Sequence, residues 1–422
     1  MNRFIYSILL YLLFPLLVLY LAVRAIKSPD YRGRWGERFG LTSLNKSDLL
    51  IHSVSMGETL AAIPLIRAIQ QAHPQLSITV TTTSPTGSAE VKKAFGESVQ
   101  HCYLPFDLPF SVRRFLKQVK PQYCIIMETE LWPNLIHQAS HSGVKLMLAN
   151  ARLSEKSAGQ YQKQLTLSQP MLQSLDSIAA QSQQAAERFI ALGVSADKIE
   201  VCGSLKFDLS VADDKREQAR ALRQQWRPAT CPVWIAGSVH PGEFDAILTA
   251  HRHLLTISPD ALLIMVPRHS EKFDAAAARI TEAGFSLARR SLNESVDGET
   301  QVLLGDTMGE LLTFYGAADQ AFVGGTLIEN GGHNPLEPAA LGLPVFVGPH
   351  HWDFAEITGL LNEAGALKVV SSAEELGTAL VGNFEDKSAY QVASKAGLRV
   401  VDANKGALQK QFALTNRLIA FE

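Results

Sequence analysis

From Asp48 onward the chain alternates short, β-rich apolar runs with amphipathic stretches of helical period. The runs are DLLIHSVS, SITVTTTS, QYCIIMETE, VKLMLANA, DSIAAQS and IEVCGS, and stretches such as AAIPLIRAIQQAH and QAAERFIALG lie between several of them. Strand, helix, strand at this spacing predicts a parallel sheet with helices on both faces. A charged stretch, DLSVADDKREQARALRQQW (208–226), interrupts the alternation and reads as a surface helix or interdomain connector. The pattern restarts with PVWIAGS, ALLIMVPR, QVLLGD, QAFVGGT, LPVFVGP and ALKVVSS, so two doubly wound units are predicted, at 45–205 and 230–400. The ending, GALQKQFALTNRLIAFE, reads as a helix packing back onto the body.

The first segment differs in kind. FIYSILLYLLFPLLVLYLAV, Phe4 to Val23, carries no charge, and about 20 apolar residues suffice to cross a bilayer core. Arg3 precedes it and Arg24, Lys27, Arg32, Arg34 and Arg38 follow, which places the body on the cytoplasmic side by the positive-inside tendency. A cleaved signal peptide fits less well, because the run is too long and no small-x-small cleavage site follows. Pro15 at mid-span keeps open a helix that enters one leaflet only. YRGRWGERFG (31–40) reads as a solvated juxtamembrane linker attracted to anionic headgroups.

Composition narrows the rest. With 422 residues, 46% hydrophobic, 19% charged and a net charge of −2, the chain has ample core for two domains. Its basic residues form no stripe, which argues against nucleic acid. Cys102, Cys124, Cys202 and Cys231 lie far apart with no C-x-x-C pair. They suit neither a zinc site nor a secreted disulfide framework, and point to a reducing compartment.

In open α/β sheets ligands bind beyond the carboxyl ends of the strands, so the chemistry is sought just after each apolar run. In the first unit those positions hold Ser55, Gly57 and Glu58, then Thr83, then Glu128 and Glu130, then Asn150 and Arg152. In the second they hold Ser238 and His240, Pro267 and Arg268, Thr307 to Glu310, and Gly324 to Thr326. Two facing sheets with such rims make an interdomain cleft. Glu58, after Gly57, is either an ordinary first-turn carboxylate favoured by the helix dipole or a catalytic group. GGTLIENGGHNPLEPAALGLPVFVGP (324–349) combines Gly331 and Gly332 with Asn334, Pro335, Leu336 and Glu337. Glycines allow close backbone approach and a helix N-terminus offers amides to phosphate; a tight turn with a first-turn carboxylate explains the same residues. Arg268 suits a phosphate or carboxylate in fork geometry, or is a strand-end surface charge. Thr307 is placed to cap the helix GELLTFYGAA. The chain has no G-x-x-x-x-G-K-[ST] loop, no G-x-S-x-G elbow, no H-E-x-x-H and no D-x-D pair.

At these residues the chain resembles the 3-deoxy-D-manno-octulosonic acid (Kdo) transferases of lipopolysaccharide biosynthesis, which are GT-B glycosyltransferases. The resemblance runs essentially end to end, through HSVSMGETLAAIPLIRA, TVTTTSPTGS, LPFDLPFSVRRFL, IMETELWPNLI, NARLSEKSA, GSLKFD, VPRH, GDTMGEL and FVGGTLIENGGHNPLEPAA. It implies an α/β GT-B fold of two Rossmann-like domains: a membrane anchor at 1–27, an acceptor-binding domain at 28–207, a connector at 208–229 and a CMP-Kdo-binding domain at 230–422. It implies transfer of Kdo from CMP-Kdo to the lipid A precursor, lipid IVA, at the cytoplasmic face of the inner membrane, inverting and without metal or cofactor. Glu58 is then the general base and Glu128 a second cleft carboxylate. Pro267 with Arg268, Met308 to Glu310 (with Gly309), and Asn334 to Glu337 bind CMP, joined on the donor side by Ser238, His240, Lys206, Gly331 and Gly332. Ser55, Gly57, Thr83, Glu130 and Arg152 fall to the acceptor. The helix dipole would keep Glu58 ionised. Rival readings are a GT-B enzyme using another nucleotide sugar, which releases UDP or GDP, and a membrane-attached scaffold that binds nucleotide without turnover.

Overall fold

The computed structural model describes residues 1–209, 213–228 and 230–419. Residues 210–212 and 229 of the expected connector, and 420–422 of the expected last helix, lie outside the described residues. The chain divides into two compact units, one of Met1–Asp208 with Lys405 onward, the other of Leu209–Asn404.

The first unit is built on β1 (Leu49–His52), β2 (Ile78–Thr82), β3 (Gln100–Tyr103), β4 (Tyr123–Met127), β5 (Lys145–Ala151), β6 (Ser177–Ala180) and β7 (Ile199–Val201). They form one sheet in the order β3-β2-β1-β4-β5-β6-β7, with parallel pairing throughout. Successive strand residues serve opposite faces, as a pleated strand requires. Leu50, Cys124 and Ile126 enter one apolar core, while Leu49, Ile51, Tyr123 and Ile125 enter the other. The helix Ala407–Ile419 contributes Ala407, Leu414 and Leu418 to that second core, and the Asp208 carboxylate tethers its start by accepting from Gly406 N–H at 2.7 Å.

The second unit repeats the plan with β8 (Val233–Val239), β9 (Leu262–Pro267), β10 (Leu287–Arg289), β11 (Val302–Leu304), β12 (Gln320–Val323), β13 (Val345–Val347) and β14 (Leu367–Val369). The order is β10-β11-β9-β8-β12-β13-β14, again parallel. The charged helix Asp213–Trp226 packs into this unit. Its Ala219 and Trp226 are buried, Trp226 lies 6.1 Å from Phe314 ring to ring, and Arg223 pairs with Asp319 at 3.1 Å. The apolar-run reading found twelve of these strands and missed β3 and β10, each at an edge of its sheet.

The N-terminal helix, Arg3–Lys27, contains Pro15 and lies along the first unit. Its less exposed positions, 3, 6, 7, 10, 17, 18, 21, 22 and 25, form one helical stripe. The Tyr6 hydroxyl donates to Asp107 at 3.1 Å and the Ser7 hydroxyl to Asn134 at 3.0 Å. Phe14 meets Phe39 edge to face at 5.7 Å, and Leu21 is 1% exposed. Asp107 also receives the first amides of the helix Pro133–His141, from Asn134 and Leu135, each at 2.8 Å.

The stretch 31–40 is not a solvated linker. Residues Trp35–Arg38 form a short helix, and Arg34 and Arg38 both lie over the Tyr103 ring, at 4.3 and 4.0 Å. Arg38 is 5% exposed and donates to the Thr83 carbonyl at 2.9 Å, while Arg34 pairs with Glu37 at 2.8 Å. Guanidinium groups pack flat on an aromatic face more readily than they stay hydrated beside one. These two charges therefore serve the fold.

Asp107→Ala should cost about 2–3 kcal/mol, because it strips two helix N–H groups and a buried hydroxyl of their acceptor. Tyr6→Phe should cost only about 1 kcal/mol. Unfolding midpoints in detergent check the pair; equal losses would remove Asp107 from its capping role.

Candidate active site

Both sheets change winding direction at one point, and the loops that leave the two strands there diverge to open a crevice at their carboxyl ends. In the first unit those strands are β1 and β4, in the second β8 and β12.

After β1 the chain turns through Ser53–Ser55 into the helix Met56–Ala72, with Ser55 as its cap. Ser55 Oγ accepts from Glu58 N–H at 3.3 Å and donates to Glu58 Oε1 at 2.9 Å, while Oε2 accepts from Val54 N–H at 2.7 Å. Glu58 is 8% exposed. After β4, Glu128 stands in the left-handed region, φ 55°, which few residues without a tight local reason adopt. Its Oε1, shielded from solvent, meets the Lys206 ammonium at 3.0 Å in an ion pair outside hydrogen-bond geometry.

Glu58, Glu128 and Glu130 thus share one low-dielectric corner. Burial pushes Glu58 up to about 7, and the charges of Glu128 and Glu130 add to it against the donors Val54 and Ser55. Glu130 is raised by burial and by Glu128. The expectation that the helix dipole would keep Glu58 ionised is therefore corrected: desolvation outweighs dipole and hydrogen bonds, and the carboxyl sits at the midpoint of its titration near neutrality. That is where a general base works best.

The other first-unit residues fall around this corner unevenly. Thr83 Oγ1 donates to the Val54 carbonyl at 3.2 Å, joining the β2 end to the Glu58 turn. Arg152 is exposed beyond β5. Lys206, expected among the donor-binding cations, lies in the first unit against Glu128. A Cβ built on Gly57 would meet nothing nearer than Ser55 Oγ at 3.9 Å, so the fold itself does not demand glycine there. Asn150, φ 51°, was noted only as a strand end. It accepts from Leu205 N–H at 2.9 Å, holding the Lys206 turn in place.

In the second unit, Ser238 (φ 57°) and His240 end β8, and Arg268 follows β9, its amide donating to the Val239 carbonyl at 3.0 Å. The loop after β12 carries Gly324 to Glu337. Gly331 and Gly332 both take φ 86°, and a Cβ on Gly331 would strike Asp353 at 2.4 Å. These two glycines are explained by the loop's own packing, whatever ligand it holds. Asn334 Oδ1 accepts from Leu336 N–H at 3.1 Å, opening the five-residue helix Leu336–Ala340.

Charge converges on Arg268. Burial pushes Glu337 up to about 7, opposed by an Asn334 hydrogen bond and by Arg268. Burial pushes His333 down to about 3, and Arg268 adds to the effect; His240 is lowered by burial too. His240 and His333 face each other Nε2 to Nε2 at 3.0 Å, so one donates and the other accepts. His333 escaped the sequence reading because a lone histidine in a glycine-rich run carries no spacing signal. Glu243 was missed as well. It is fully buried and accepts from four amides, those of His240, Gly325, Thr326 and Leu327, at 2.8–3.0 Å. It thereby ties the β8 end to the β12 loop, and P-G-E after a strand was its only trace.

Glu310 stands apart from this group. It takes a bidentate contact from Arg290, at 2.8 and 3.2 Å, and the Thr307 hydroxyl donates to it. Thr307 is thus not a helix cap, since the helix there is Leu311–Gly316. Met308 is 67% exposed, and Gly309 has φ 86°.

Two parallel seven-stranded units, each with a polar switch point, define the class as a GT-B fold. The UDP-GlcNAc 2-epimerase from Neisseria meningitidis bound to UDP-GlcNAc shares that fold, with TM-score 0.59 over 87% of this chain and 100% of that one at 14% identity. A family model described as 3-Deoxy-D-manno-octulosonic-acid transferase (kdotransferase) matches residues 33–209. The chain is 45% identical over 416 residues to the 3-deoxy-D-manno-octulosonic acid transferase of Haemophilus influenzae, covering 97% of each. It is 36% identical to that of Bordetella pertussis, covering 87% of each. The chain belongs to the Kdo transferase family and is a glycosyltransferase.

Glu58 keeps its proton to about pH 7 when folded but releases it near 4.5 when unfolded. Between those values the folded state binds more protons, so stability should fall as pH rises. Glu58→Gln should flatten that slope in part, since Asp107 and Glu337 are also raised to about 7. Thermal unfolding from pH 4.5 to 7 measures it, and an unchanged slope would mean Glu58 is not held protonated.

Proposed function

We propose that this transferase moves Kdo from CMP-Kdo to the lipid A precursor, lipid IVA, with Glu58 as general base and with inversion at the anomeric carbon. The observation that carries the reading is the buried Glu58 carboxyl at the end of β1, pushed up to about 7. A sugar hydroxyl is a weak nucleophile, and a carboxylate poised near neutrality takes its proton as the new C–O bond forms. The bond from the anomeric carbon to the CMP phosphate breaks, and CMP departs with the electron pair. Attack from the face opposite the leaving group inverts the centre.

The donor residues are those of the second unit. Arg268 is set to receive a phosphate or the Kdo carboxylate, with charge-assisted bonds. Glu337 and Asn334 suit ribose hydroxyls, and the neutral His240–His333 pair presents polar edges without adding charge. Ser238, Pro267, Gly331, Gly332, Pro335 and Leu336 shape this wall, and Met308, Gly309 and Glu310 a second part of it. Leaving-group stabilisation is assigned to Arg268. On the acceptor side stand Ser55, Gly57, Thr83, Glu130 and Arg152. Glu128, balanced by Lys206, keeps Glu58 from ionising too early.

The N-terminal helix is the membrane attachment. One stripe packs on the first unit along its length, while Phe4 (72% exposed), Leu12 (70%), Leu16 (61%) and Ile26 (77%) face outward. A helix flanked by the domain from end to end suits insertion in the plane of one leaflet better than a span, and the inner membrane's cytoplasmic face is the proposed site.

Glu58→Gln should fold, bind CMP and lose transfer by about 10²- to 10⁴-fold. Arg268→Ala should chiefly weaken donor binding. Incubation with CMP-Kdo and a tetraacylated lipid A precursor, followed by mass spectrometry, reads donor, acceptor and product together. No Kdo adduct with the wild type, or normal turnover by Glu58→Gln, would overturn the assignment.

A further inference from the structure

A groove enclosing about 720 Å³ lies in the first unit, bordered by Arg3, Arg113, Lys117, Lys120, His137 and His141, and no acidic side chain lines it. Arg113, Lys117 and Lys120 stand at i, i+4 and i+7 of the helix Pro109–Val119 and its cap. They occupy the side opposite its buried Val112, Phe115 and Val119. His137 and His141 stack at 4.4 Å on the facing helix Pro133–His141. Among the described residues none of Arg113, Lys117 and Lys120 is ion-paired. The nearby Asp107 is already committed to Tyr6, Asn134 and Leu135. A helix C-terminus accounts for Lys117 and Lys120, and Arg3 donates to Asn134 Oδ1 at 3.3 Å, but neither accounts for Arg113. Unpaired cations gathered in one concavity repel each other unless an anion joins them.

The groove also has an apolar neighbour. Phe110, in the first turn of the same helix, is 60% exposed, and its amide donates to Tyr11 of the N-terminal helix at 3.3 Å. Beside them the exposed face of that helix runs on through Ile8 and Leu12. Phosphate-binding charge bordered by an outward apolar face is the signature of a headgroup with acyl chains attached.

We propose that this groove binds the phosphate headgroup of an anionic membrane lipid, with the chains lying along Phe110 and the N-terminal helix. The proposal rests on the reading that this helix lies on the membrane. The test compares the full-length wild type with Arg113→Gln/Lys117→Gln/Lys120→Gln and with a control, Arg216→Gln/Arg220→Gln/Lys387→Gln, which removes as much charge from the second unit. Each is partitioned onto phosphatidylglycerol-containing and phosphatidylcholine-only vesicles.

The groove variant should lose about 100-fold in binding to the anionic vesicles, and the control far less. Binding to phosphatidylcholine and transfer in detergent micelles should be unchanged for both. Inorganic phosphate at millimolar concentration should not release the wild type, since it carries no chains. Equal losses in groove and control variants, or none in the groove variant, would overturn the headgroup site. Release by free phosphate would overturn the lipid as its occupant. Failure of the wild type to bind either vesicle would instead overturn the attachment reading.

Discussion

Three carboxylates and one ammonium, packed where β1 and β4 end, set the terms for the first unit. Glu58 is nearly excluded from water, and Glu128 and Glu130 raise the cost of its ionisation. Among the described residues Lys206 is the cation that answers them, through Glu128. The balance pushes one carboxyl up to about 7 while its neighbour is paired. Like-charge crowding of this kind separates the roles of groups that are chemically identical. The topology produces it, because a doubly wound sheet brings the ends of β1 and β4 side by side although 70-odd residues separate them in sequence.

The second unit solves the complementary problem. A donor with a phosphodiester and a carboxylate needs positive charge, yet nearby histidines must not compete for it. In the proposed reading Arg268 supplies the charge, and burial lowers His240 and His333 so that they add none. Glu243, through four amides, clamps the two loops that carry these groups. Its role is positioning: without it the β8 and β12 loops would lose their shared acceptor and with it their spacing.

Much of the fold was legible in hydrophobic periodicity. The other twelve strands read as apolar runs, most of them because both faces of a parallel sheet are covered. β3, QHCY, and β10, LAR, did not, since an edge strand can carry polar residues where no neighbour packs on it. Candidate site positions followed from strand ends, and Glu58, Glu128 and Arg268 were found that way. What stayed hidden depends on long-range neighbours. Arg34 and Arg38 looked like headgroup charges because Tyr103 is remote in sequence. The capping role of Asp107 left no local trace because the helix it caps begins at Pro133. The pairing of Lys206 with Glu128 was hidden because nothing local in the sequence joins the two. The direction of the Glu58 shift was also unreadable, for the dipole is visible in sequence and desolvation is not.

The central claim is that Glu58 is the base and that burial raises its titration, with the charge of Glu128 adding to the shift. The pH dependence of kcat/KM for Kdo transfer, compared between wild type and Glu128→Gln, tests it most directly. The account predicts an acid limb near pH 7 in the wild type that moves to lower pH in the variant, because removing a neighbouring negative charge eases ionisation. An acid limb that stays in place when Glu128 is neutralised would contradict it.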